Sequence, residues 1–134
     1  MLELARESSG KGSRYGQYTL GDLYQFGRGG VARDYSKSIA LYRLVAAQNL
    51  DGAQWSLGFM YNCGNGVAQD DAEALRLYQL AAAQGHPGAL SNAAQCHEHG
   101  EGVRKNKAEA IRWYRRAQAA GDLDAAWNLQ RLRA

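Results

Sequence analysis

A chain of 134 residues with 46% hydrophobic positions suits one domain whose core needs neither disulfides nor a metal. Two cysteines, Cys63 and Cys96, are too few for a disulfide framework, and no apolar run is long enough to span a bilayer. The net charge of +3 is uneven: residues 104–134 carry eight Lys/Arg against three Asp/Glu, so the basic character belongs to the C-terminal third. The first residues lack the long apolar stretch of a signal peptide, and the chain reads as cytoplasmic.

One pattern recurs along the chain. Residues 2–9 fall where the second helix of a preceding repeat would lie, with Gly12 at its terminating slot, so residues 1–13 read as a degenerate N-terminal cap. Three full repeats follow at 14–50, 51–86 and 87–122, and 123–134 is a half-repeat that covers the last open face. Val31, Val67 and Val103 stand 36 apart, as do Asp34, Asp70 and Asn106; Tyr42, Tyr78 and Tyr114; and Asn49, Gly85 and Gly121. The first repeat carries one extra residue, which we place at Gly30.

Each repeat reads as two helices, A and B. In the second, Ala53, Leu57, Met60 and Tyr61 recur at steps of three and four, as an amphipathic helix requires. Gly64 and Gly66 make a turn, Asp70 is placed as an N-cap, and Glu73 completes a capping-box pattern. Helix B follows with Ala74, Leu77, Tyr78, Ala81 and Ala82 on its buried side, and Gly85 supplies a left-handed terminus. Asn106, Glu109 and Gly121 repeat this punctuation, and the single proline, Pro87, falls at a first helical position.

Ala53, Leu57, Gly58, Tyr61, Gly64, Gly66, Val67, Asp70, Ala74, Leu77, Tyr78, Ala81, Ala82, Gln84 and Gly85 together resemble the Sel-one-like repeat, a relative of the tetratricopeptide repeats. The resemblance runs from Arg14 almost to the end; the third repeat departs at Ala93, Ala94 and His97, and Asn49 replaces a glycine. It implies an all-α fold, a right-handed α-α superhelix whose A helices line a concave face, acting as an adaptor or scaffold. Some members are cysteine-bridged within a repeat, but Cys63 and Cys96 occupy non-equivalent slots of different repeats.

On that reading the packed side of helix A holds the Leu57, Gly58 and Tyr61 slots, and the other side presents Ser56, Phe59, Asn62 and Cys63. The equivalent positions are Asp22, Gln25 and Phe26 in the first repeat and Gln95, Glu98 and His99 in the third. These slots vary between copies while the packed ones repeat, as positions freed from packing would, and Phe26 and Phe59 fill no repeat core slot. They are the expected partner-binding residues, and the partner is another protein or a peptide segment held by a monomer. An alternative is a nucleic acid or acidic surface bound through Arg112, Arg115 and Arg116, which share a helical face, although no nucleic-acid module accompanies them. A third reading is a fragment of a longer array that self-associates through Trp127, Leu129 and Leu132.

Enzyme chemistry finds no assembled site here. Cys96 and His97 are neighbours on a helix and point about 100° apart, so they do not pair as nucleophile and base. Cys96 and His99 share a face and are zinc donors, but Cys96 takes the Met60 slot, and core packing accounts for it. The glycine-rich turns follow no strand and read as positions of positive φ, not phosphate cradles. We therefore expect no catalytic residues, no cofactor and no metal.

Overall fold

The structure, a computed structural model, describes residues 14–133. Seven α-helices make up the regular structure among those residues: α1 (Arg14–Phe26), α2 (Tyr35–Ala46), α3 (Asp51–Cys63), α4 (Asp71–Ala82), α5 (Pro87–His99), α6 (Lys107–Ala119) and α7 (Ala125–Arg133). The cap expected at residues 1–13 lies outside the described residues. Contacts group the helices into two compact units: one ends at Gln69 and holds α1–α3, the other begins at Asp70 and holds α4–α7.

The repeat is written into the helix ends. Asp34, Asp70 and Asn106 adopt the same extended conformation, with φ of −146°, −146° and −151°, and each side chain accepts from the N–H three residues on, at 3.1, 3.0 and 3.0 Å. The second half of the expected capping box does not form. The Glu73 carboxylate turns to Arg76 (3.0 and 3.1 Å to Nε) and that of Glu109 to Arg112 (2.6 Å), because an arginine one turn further along offers a charged donor. Since the cap bond is the part that remains, Asp70→Ala should cost about 1 kcal/mol of stability by urea unfolding, and Asp70→Ser much less.

At the other end of the B helices, Asn49, Gly85 and Gly121 have φ of 65°, 84° and 101°. In each case the following N–H reaches back five residues, Leu50 to Val45 (3.4 Å), His86 to Ala81 (3.3 Å) and Asp122 to Ala117 (2.9 Å), a Schellman arrangement that satisfies the terminal carbonyls. Asparagine holds this place in the first repeat because its short polar side chain tolerates the left-handed region better than other non-glycine residues. Pro87 does open α5, and His86 caps that helix through Nδ1 to the Ala89 N–H at 3.1 Å, a role the sequence pattern did not suggest.

The core is built from the matching slots. Tyr42, Tyr78 and Tyr114 are fully buried, one per B helix. In the first unit Tyr42 is buried along with Ala53, Leu57 and Met60 of α3, and in the second Ala94, Ala110, Tyr114, Leu129 and Leu132 form one cluster. Leu129 and Leu132, which the array reading needed at an exposed edge, are therefore spent on the core; of that trio only Trp127 is exposed. The reason is that α7 presents its i, i+3 apolar stripe to α6 and leaves Trp127 on the other face.

A candidate docking pocket

A buried tyrosine must place its hydroxyl, and this need shapes the site. In the first unit the Tyr42 hydroxyl donates to Gln25 Oε1 at 2.7 Å and shares a short hydrogen bond with the Asp22 carboxylate. In the second unit the Tyr114 hydroxyl donates to Glu98 Oε1 at 2.8 Å. Gln25 and Glu98 stand at the same slot of their repeats, so in the first and third repeats the A helix offers an acceptor to the following B helix. Burial and the neighbouring carboxylates raise both phenols above the ordinary tyrosine range.

This corrects the expectation that one side of helix A is free. Gln25, Ser56 and Glu98 are buried, at 6%, 6% and 7% exposure, because a hydrogen bond to a buried tyrosine pulls the first and third inward and Ser56 lies against Tyr18. Glu98 is further tied to Arg131, whose Nη1 lies 2.6 Å from Oε2, and His99 Nε2 stands 3.7 Å away. The Arg131 hydrogen bond holds the Glu98 carboxyl below the usual carboxylate range, against the opposing effect of burial.

The other expected positions do reach the surface. Phe26 and Phe59 are 52% and 40% exposed, Cys63, Gln95 and His99 are exposed, and Asp22 and Asn62 are half-buried. In the first unit Asp22, Gln25, Phe26, Ser56 and Phe59 converge on one pocket of about 250 Å³ between α1 and α3. Its remaining walls are Tyr18 and Trp55, which sequence reasoning missed. A signal existed: Tyr18, Trp55 and Trp127 occupy the same slot of successive A helices, and only Ser91 breaks the aromatic series. The Asp22 carboxyl at the pocket wall is raised above its ordinary range, chiefly by burial, with the Tyr42 hydrogen bond pulling the other way.

In the second unit, Gln95 and Trp127 edge a wider groove of about 760 Å³ that runs past Ser91, Asn92, Asp122 and Asp124. Cys96 lies in the core at the Met60 slot, and burial pushes its thiol up to about 12, far from the thiolate that metal binding or nucleophilic attack would use. His97 stacks on Trp113, centroids 6.0 Å apart. Arg112, Arg115 and Arg116 are all exposed on α6, but Arg112 is paired with Glu109 and the Arg116 guanidinium lies 4.4 Å from the Trp113 ring centre. Among the described residues no helix is long and apolar enough to cross a membrane.

Known proteins share this architecture. A Sel1 repeat protein from Oxalobacter formigenes superposes with a TM-score of 0.83 at 32% identity, over 96% of each chain. A protective antigen of uropathogenic Escherichia coli with an SLR fold gives a TM-score of 0.88 at 32% identity over 92% of this chain, which spans 26% of that protein. The cysteine-rich protein B of Helicobacter pylori, at 17% identity and a TM-score of 0.75, shares the fold. An uncharacterized protein of Neisseria meningitidis serogroup B, NMB1327, is 40% identical over 63 residues, 47% of this chain and 13% of that relative's length. Proteins with this repeat are typically non-catalytic scaffolds that bind other proteins. With the Sel1 repeat matched at residues 14–50, 52–86 and 87–122, on helices, caps and turns that recur in the same register, the chain belongs to the Sel1 repeat family.

Proposed function

We propose that this protein is a non-enzymatic adaptor that holds a segment of another protein on its A-helix face, anchored in the pocket between α1 and α3. The observation that carries the reading is the pocket itself: its walls include two phenylalanines exposed beyond what packing requires, at slots that differ from repeat to repeat. An aromatic-walled cleft on rigid helices suits a side chain of an extended or helical segment. A basic-surface reading through Arg112, Arg115 and Arg116 has less support, because two of the three guanidiniums already have partners within α6.

Affinity capture with the wild-type chain beside Phe59→Ala and Phe26→Ala, at low and high salt, tests this. With folding verified by circular dichroism, a protein retained by the wild type at high salt should be lost by either variant. Capture that is indifferent to both phenylalanines, or that consists of salt-labile nucleic acid, overturns the reading.

A further inference from the structure

The two units solve the same problem in different ways, and the difference identifies an occupant. In the second unit α5, α6 and α7 bring together Glu98, Tyr114, Trp127, Asn128 and Arg131. The Arg131 guanidinium donates to Glu98 and to Asn128 Oδ1 (3.0 Å), and lies 5.3 Å from the Trp127 ring centre, while Glu98 also accepts from Tyr114. It is an arginine held between a tryptophan and a tyrosine-bound carboxylate. Counting back through the repeats, Trp127 corresponds to Trp55, Asn128 to Ser56, Tyr114 to Tyr42 and Glu98 to Gln25. Arg131 corresponds to Phe59.

The first unit thus retains the tryptophan and the tyrosine, and it moves the carboxylate one helical turn along α1, to Asp22, where Tyr42 still engages it. What it lacks is an arginine at that slot: Arg28 lies over the Phe26 ring at 4.9 Å and acts on Asp22 only through its charge, without a hydrogen bond or ion pair to it. Phe59 is too short and too apolar to answer the carboxylate, and the space beside it is the pocket of about 250 Å³. That is below the ~300–1,000 Å³ of sites for whole small molecules and suits a single side chain. Among the described residues the Tyr42 hydroxyl engages Asp22 Oδ1, and no hydrogen bond goes to Oδ2. A carboxylate in an aromatic-walled pocket penalises an apolar occupant and favours a cation, and guanidinium is the cation that both stacks on rings and is weakly hydrated.

We infer that this pocket receives an arginine side chain of the partner segment, its guanidinium against Trp55 and Phe59 and paired with Asp22, as Arg131 is received in the second unit. The inference rests on the adaptor reading and supplies its chemistry.

The test uses the full chain and three small probes: N-acetylarginine amide, its neutral isostere N-acetylcitrulline amide, and N-acetylleucine amide, titrated while the Trp55 indole N–H and the Phe59 ring are followed by NMR. The arginine probe should move both signals and bind at least about ten-fold more tightly than citrulline, the step expected of a charge-assisted pair in a partly buried site. Asp22→Asn keeps a carbonyl for the Tyr42 hydroxyl, so it should fold and lose that preference. Phe59→Arg places a guanidinium at the slot of Arg131 and should fill the pocket from within, abolishing arginine binding. Equal binding of arginine and citrulline, or preference for leucine, overturns the arginine assignment, as does undiminished arginine binding in either variant. If partner capture still depends on Phe59 in that event, the adaptor reading stands without it; if capture ignores Phe59, the adaptor reading itself falls.

Discussion

Gly102→Ala is expected to cost about 3–5 kcal/mol and to lower the Tm on the order of 10–20 °C, since two separate penalties meet at that residue. Its φ is +70°, in the left-handed region that a Cβ disfavours, and a Cβ there would lie 2.4 Å from the Asp71 carbonyl carbon and oxygen and 2.5 Å from the Ala72 nitrogen. Those are backbone atoms at the start of α4, and they cannot swing aside as the end of a side chain could. Gly85 provides the internal control. Its φ is +84°, but nothing lies within 4 Å of a Cβ placed there, so Gly85→Ala should incur the conformational penalty alone, about 1–2 kcal/mol. Urea unfolding of the two variants beside the wild type measures the gap. Equal losses would show that α4 does not press on the turn as closely as the geometry requires.

The second large effect concerns the Glu98 node. Glu98→Ala should cost about 2–4 kcal/mol, because it strands the hydroxyl of the fully buried Tyr114 and removes the partner of Arg131 together. Tyr114→Phe removes only the hydroxyl and leaves the Glu98–Arg131 pair, so about 1–2 kcal/mol is expected. The two losses should be less than additive in the double variant, which is the signature of a shared bond. The pH dependence has a definite sign. The folded carboxyl of Glu98 titrates below its unfolded value, so its contribution is fully present above the unfolded pKa of about 4.3 and is lost as pH falls through the lower folded value. Glu98→Gln should therefore lie below the wild type in stability at pH 7 and approach it toward pH 3. Parallel curves across that range would remove the charge from the account.

Both effects rest on neighbours that lie far apart in the chain, and this marks the boundary of what the amino-acid order could reveal. The helix termini were legible, because each is decided within a few residues: Asp70 and Asn106 reach only to the third N–H beyond, and the N–H that follows Asn49, Gly85 or Gly121 closes its helix on a carbonyl five residues back. The 36-residue register then carried those local decisions along the chain, together with the identity of the buried tyrosines. Phe26 and Phe59 could be singled out as surface aromatics for the same reason, as residues out of step with the repeat. Burial of Gln25, Ser56 and Glu98 could not be read this way. Periodicity divides a helix into one apolar and one polar face, whereas an A helix here is contacted from more than one side, and a polar residue is drawn inward when a tyrosine hydroxyl from the next helix requires an acceptor. The pocket was likewise invisible in sequence, for Asp22 and Phe59 are separated by 37 positions, and only the packing of α1 beside α3 sets a carboxylate and four aromatic side chains around one cavity. Sequence by itself determined the helices, their ends and their repeat, since those depend on local hydrogen bonds and spacing; tertiary structure alone decided which polar side chains are consumed by the core and which remain for a partner, since that depends on where another helix places its hydroxyl.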